Sequence, residues 1–274
     1  MSERHGEVIE TAPQRAWKMR WGSMVEGRRV EPVAPLGTPG SAFPAVAPVD
    51  EAAWGAWARG LTRFALEGHR VVVVAPHPDD ETLGCGGLVH ELMGRGSHVQ
   101  VVTVTNGEGS HRAWPDLASV RRAEQISALR SLGVVAAPVF LGLPDGGLVD
   151  RVDELADQLE ELVADADADV IVAPWARDGH GDHDAVGRVA ARVGARTGAI
   201  VVAHPVWAWQ WAGIEDLTGP AWQRFDLWPS TRRAKADAMA RYRSQISDEH
   251  GPAVLGGEVL GRSGRSYEVY ARVG

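Results

Sequence analysis

From residue 69 onward the chain alternates short apolar runs with amphipathic stretches, and this alternation restricts its fold more than any other feature. The run VVVVA at 71–75 is continuous and β-branched, as in a strand buried on both faces of a sheet. Residues 81–96 then read as a helix ending at glycine, 98–105 as a strand and 117–133 as a helix. Residues 137–143 follow as a strand, 152–166 as a helix, 168–175 as a strand, 183–197 as a helix, and 199–211 as strand material broken near Pro205. Such a succession implies right-handed crossovers and a mostly parallel sheet with helices on both faces. The expected fold is a Rossmann-like three-layer α/β/α sandwich, ending in a helix over 230–246 and a strand over 266–273.

Residues 1–68 break that pattern. Pro13, Pro32, Pro35, Pro39, Pro44 and Pro48 forbid long helices and central strands there. Trp17, Trp21, Trp54 and Trp57 each want burial, which a free linker would not offer. The expectation is an N-terminal extension over 1–68, packed as an arm on a main domain at 69–274. A sharper reading has the arm also wall a substrate pocket or a subunit interface. With 274 residues, 45% hydrophobic and 23% charged, the chain can bury a real core. One cysteine, Cys85, excludes a disulfide framework and a multi-cysteine zinc module. A net charge of −8 argues against a general nucleic-acid binder. No apolar run approaches the roughly 20 residues that a membrane span needs. The polar start MSERHGEVIE has no apolar signal core, so a cytoplasmic location is expected.

Ligands of open α/β sheets bind beyond the carboxyl ends of the strands. Two of those ends carry metal-type residues: Pro76-His77-Pro78-Asp79-Asp80-Glu81 after the first strand and Asp178-Gly179-His180-Gly181-Asp182-His183 after the fourth. A hydrolytic metal site needs about three protein ligands and one open position. His77 and Asp80, three apart across a tight turn stiffened by proline, can face one point, and His183 can complete the set. This donor set suits zinc. Asp79 is placed to act as general base on the attacking water, and His180 to donate to the reacting oxygen or the leaving group. Asp182 can orient a histidine from behind, or cap the helix that begins near His183. Glu81 reads as a charge favoured at a helix N-terminus.

HPDDE followed by a glycine-rich helix, with DGHGDH after a later strand, resembles the PIG-L/LmbE-like family of zinc-dependent N-deacetylases. The likeness covers roughly 70–274 and extends to VTNGEGS at 104–110, Arg121 and Glu124, LPDGG at 143–147, and the Lys235 to Gln245 stretch. It implies His77, Asp80 and His183 as metal ligands, Asp79 as base, His180 as oxyanion stabiliser and acid, and Asp182 as the carboxylate that tunes His180. The metal implied is Zn2+, with another divalent ion such as Fe2+ as the alternative. Arg121 and Asp145 match positions that contact hexosamine hydroxyls in sugar-acting relatives. Asp178 stands where some relatives carry a tyrosine that assists the tetrahedral intermediate. The implied substrate is an N-acetylated amino sugar within a glycoconjugate or natural product. A non-sugar amide such as a thiol conjugate, and a non-catalytic carbohydrate-binding protein, are the alternatives. A homo-oligomer is left open.

Trp207, Trp209 and Trp211 alternate, so on a strand they would share one face. That face would serve as core or subunit packing, or as a platform stacking a sugar or aromatic aglycone, with Trp209 as the expected substrate contact.

Overall fold

The computed structural model describes residues 49–66, 68–111 and 114–273. Residues 1–48 of the extension expected over 1–68, with Trp17 and Trp21 and the prolines named above, lie outside the described residues. In chain order the elements are α1 (Glu51–Arg59), β1 (Thr62–Arg63), β2 (Arg70–Ala75), α2 (Asp80–Gly94), β3 (His98–Thr103), α3 (Leu117–Ser131) and β4 (Val139–Phe140). Then come α4 (Val152–Asp165), β5 (Val170–Pro174), α5 (Gly181–Thr197), β6 (Ile200–His204), α6 (Ala208–Trp211) and β7 (Gln223–Asp226). The chain closes with α7 (Pro229–Met239), α8 (Arg243–Ile246), α9 (Gly257–Ser263) and β8 (Tyr267–Val273).

The strands form one eight-stranded sheet in the order β1-β7-β8-β6-β5-β2-β3-β4. It is parallel from β6 to β4, whereas β8 runs antiparallel to both β6 and β7. The alternation of side chains along each strand divides the core in two. Val71, Val73, Val101 and Val172 pack with Leu88, Leu129 and Met239 on one face. Val72, Val74, Val102 and Ile171 pack with Leu155, Leu159 and Val189 on the other. These are the three layers expected from the strand–helix alternation. Among the described residues no helix is long and apolar enough to cross a membrane.

From β2 the chain steps outward to β3 and β4, then returns to the other side of β2 to build β5 and β6. The order therefore reverses between β2 and β5, and a crevice opens beyond their carboxyl ends. The two histidine- and aspartate-bearing loops leave the sheet at that reversal.

Three local expectations need correction. The helix expected over 230–246 is two helices, α7 and α8, because Tyr242 turns inward between them and donates its hydroxyl to Glu81 at 2.6 Å. The strand expected over 137–143 shrinks to Val139–Phe140 at the sheet edge. The indole-rich stretch is not a strand. β6 ends at His204, and α6 begins where the buried Asp178 carboxylate accepts hydrogen bonds from the backbone N–H groups of Val206, Trp207 and Ala208. Capping from a distant loop turns the chain into a helix, so the three indoles do not share a face.

The end of the 1–68 segment is described. Trp54 of α1 is fully buried against Trp209, edge to face at 5.0 Å, and β1 pairs with β7.

Candidate active site

The turn after β2 sets the first half of the site. Asp79 has φ 151 and ψ −26, a conformation unfavourable for any residue with a Cβ and costing on the order of 1–3 kcal/mol. Its carbonyl accepts from Thr82 and Leu83, which starts α2. Its carboxylate receives Arg121 Nη2 at 2.9 Å. Arg121 is itself buried, and it also donates to the Pro78 and Gly107 carbonyls at 3.1 and 2.7 Å. Gly107 has φ 65, and a Cβ there would lie 2.0 Å from Arg121 Nη1, so only glycine leaves a seat for this guanidinium.

His77, Asp80 and His183 converge. Their ligand atoms lie within 4.8 Å of one another, and all three residues are buried. Asp80 Oδ2 is 3.0 Å from His77 Nδ1 and 3.2 Å from His183 Nε2. The far ring nitrogens also face carboxylates. His77 Nε2 lies 3.1 Å from Asp145 Oδ1 and 3.2 Å from Asp182 Oδ2, and His183 Nδ1 lies 2.8 Å from Asp178 Oδ2. Neither ring nitrogen of the fully buried His183 imidazole has a well-aligned hydrogen bond, although a carboxylate oxygen faces each, so Nε2 is unpartnered. A second trio, His77, His180 and Asp182, overlaps the first.

The charges fit a cation. Among the described residues, Arg121 is the one arginine or lysine ion-paired with Asp79, Asp80, Asp145, Asp178 or Asp182. Without a cation the histidines supply the missing charge. Burial opposes it, but facing carboxylates hold His77 well above its ordinary range and His183 up at about 9. Against its own burial, Asp80 is driven well down by the two imidazoles. Replacing the inner protons with a divalent ion would leave Nδ1 of His77 and Nε2 of His183 as donors. The outer nitrogens would keep their protons on carboxylates, the usual way in which metal-bound histidines are oriented. The donor set and the unpartnered Nε2 therefore fit a divalent metal.

Burial pushes the Asp79 carboxyl up; Arg121 opposes this, Asp80 adds to it, and the result is about 7. Burial and the neighbouring His183 and His77 lower His180 to about 4, so its ring is neutral at pH 7. Asp182 N–H donates to His180 Nδ1 at 3.3 Å, which leaves the ring proton on Nε2. Asp182 thus meets His180 through its backbone. Its carboxylate receives the Gly146 and Leu148 N–H groups at 2.7 and 3.1 Å and faces His77. Asp145 accepts from Gly109 N–H at 2.6 Å and is pulled down to about 2, the His77 contact outweighing burial.

A cavity of about 280 Å³ opens over these groups, with His77, Asp79, Asp80, Arg121, Asp145 and His180 in its wall. Trp209, the expected substrate contact, is not in that wall: it is buried beside Trp54 and Trp57, with the Arg265 guanidinium 4.6 Å from its ring. Trp207 lines the cavity instead. Sequence reasoning also missed two anchors. Asp178 holds both His183 and the start of α6. Glu81, read as a helix-end charge, is buried and accepts from Tyr242, Thr82 and Gln125. Asp178 reaches Val206, Trp207 and Ala208, and Glu81 reaches Gln125 and Tyr242, all on distant segments, so spacing carried no signal of these contacts.

The family model described as GlcNAc-PI de-N-acetylase (PIG-L) matches residues 72–193. The chain is similar to 2'-N-acetylparomamine deacetylase of Streptomyces fradiae, 32% identical over 142 residues, or 44% of this chain and 50% of that protein. It is similar to the 1D-myo-inositol 2-acetamido-2-deoxy-alpha-D-glucopyranoside deacetylase of Corynebacterium efficiens, 29% identical over 230 residues, or 66% of this chain and 73% of that one. A solved deacetylase of the teicoplanin biosynthetic pathway shares the fold, with TM-score 0.62 at 24% identity over 74% of this chain and 97% of that chain. The chain thus spans about half the length of the paromamine relative.

Proposed function

We propose, from the match of residues 72–193 to the PIG-L family model, that this chain is a PIG-L/LmbE-like protein that hydrolyses the amide of an N-acylated amino sugar, releasing a carboxylate and a free amine. The observation that carries this reading is the meeting of His77, Asp80 and His183 beside Asp79 and His180 at the sheet's reversal point. A divalent cation, zinc by the donor set, would be held by His77, Asp80 and His183 and would polarise the amide carbonyl and favour hydroxide at neutral pH.

The chain's own groups do the rest. Asp79 accepts the proton of the attacking water. Its raised affinity for protons suits a base working near neutrality, and Arg121 fixes which oxygen faces the cavity. His180 offers its Nε2 proton as a hydrogen bond to the developing oxyanion. The proton taken by Asp79 then passes to the departing amine. Asp145 and Asp182 hold the His77 ring, and Asp178 holds His183. Asp145 and Arg121 also reach the cavity wall, where sugar hydroxyls would meet them.

The test is amine release from N-acetylated amino sugars by the metal-loaded protein, together with the metal content of Asp79→Asn. That variant should retain its metal and lose at least 100-fold in kcat. A near-normal rate in Asp79→Asn would overturn the base assignment.

A further inference from the structure

The cavity has two unlike walls. On one side stand Gly109, Ser110, Asp145 and Gly146, from the loops that follow β3 and β4. On the other stand Leu83, Trp207, Val254 and Leu255. Leu83 and Leu255 belong to one core cluster, and Trp207 and Val254 pack against the same cluster, so the apolar part of the lining is the edge of that core. Gln245, whose carbonyl accepts from Leu255 N–H, is the polar member of that wall. His77 lies 3.1 Å from Asp145 of the first side, and the His180 ring lies 6.4 Å from that of Trp207 of the second.

An amide carbon carries its nitrogen and its acyl carbon on diverging bonds. With the carbonyl at His180 and the sugar's hydroxyls on the Asp145 side, the acyl carbon points at the opposite wall. An acetyl methyl would leave most of that wall bare. We propose that the surface formed by Leu83, Trp207, Val254 and Leu255 receives the acyl chain, and that the enzyme prefers N-acyl groups of four or more carbons to N-acetyl. This inference rests on the deacylase reading above and adds the identity of the group removed. The reaction balances as simple hydrolysis: water adds across the C–N bond, giving a fatty carboxylate and the amine.

The experiment uses the metal-loaded full chain with N-acetyl-, N-butanoyl- and N-hexanoylglucosamine, measuring released amine. Each methylene buried on the wall should raise kcat/KM about fourfold, so butanoyl, with two more, should exceed acetyl by roughly 15-fold. Trp207→Ala, and separately Val254→Ser at the half-buried edge, should lower the butanoyl-to-acetyl ratio. The ratio is what is read, because Trp207 also lies near His180. Faster hydrolysis of acetyl than of both longer chains, or a ratio unmoved by both substitutions, would overturn the acyl wall and leave the deacylase reading standing. Amine release from none of the three would overturn the deacylase reading and this inference with it.

Discussion

Lys235→Met offers a sharp test of how α2 is held. Helix α2 is broken at Cys85, whose φ −141 and ψ 20 leave the regular helix. In an unbroken helix the Leu83 carbonyl would receive Gly87 N–H. Here Leu83 instead receives Lys235 Nζ at 2.9 Å, while Gly87 and Leu88 donate to the two Glu268 oxygens at 2.7 and 2.9 Å. Lys235 and Glu268 close the splice at 2.6 Å, with both side chains almost wholly buried. Tyr270 adds a hydroxyl to Glu268 at 2.6 Å. Removing the ammonium leaves a buried carboxylate without its countercharge, which costs about 3–5 kcal/mol. At about 2–4 °C per kcal/mol for a domain of this size, Tm should fall by roughly 6–20 °C. Urea unfolding followed by tryptophan fluorescence would measure the loss directly. Lys235→Met/Glu268→Gln should recover much of it, because glutamine removes the charge and still offers a carbonyl to the splice. A loss below about 1 kcal/mol in the single variant, or no recovery in the double one, would refute the account.

Asp178→Ala should weaken zinc binding by about 10–100-fold, read by competition with a chromogenic chelator, because His183 loses the carboxylate at its Nδ1. Unchanged affinity would show that His183 is oriented by packing alone. His204 is buried with both ring nitrogens unpartnered, and burial, against Asp178 and Asp80, lowers it to about 4. Between about pH 6.5 and pH 4 the unfolded chain binds a proton there that the folded chain excludes. Stability should therefore fall with acid by up to about 3 kcal/mol across that window and be unaffected above it. His204→Leu should flatten the pH dependence of urea unfolding, whatever its baseline. Chelation should lower Tm as well as activity, because at 100 times Kd a bound ion contributes about 2.7 kcal/mol. A Tm indifferent to chelator would mean that His77, Asp80 and His183 hold no ion.

The parallel half of the sheet was legible because β2, β3, β5 and β6 are runs of valine and isoleucine that only a sheet covered on both faces can bury. The two site loops were legible because proline, histidine and aspartate are dense there and the sheet brings strand ends together. β7, with its sequence QRFD, announced nothing: half-exposed and polar, it is a strand because β8 lies beside it. The tryptophans misled because alternation is a local signal, whereas the Asp178 carboxylate that winds Trp207 to Trp211 into a helix comes from another loop. Glu81 looked like a helix-end charge for a similar reason: it is buried by a partner more than 40 positions away, Gln125.

The edge-to-face meeting of Trp54 with Trp209 bears on how this protein can be trimmed. Trp54 lies upstream of the 72–193 stretch shared with relatives, yet it covers the helix whose first turn places Trp207 beside His180. A recombinant fragment begun at residue 69 would bare an indole face and slacken one flank of the cavity. Residues 50–66 thus buttress the candidate site from the side.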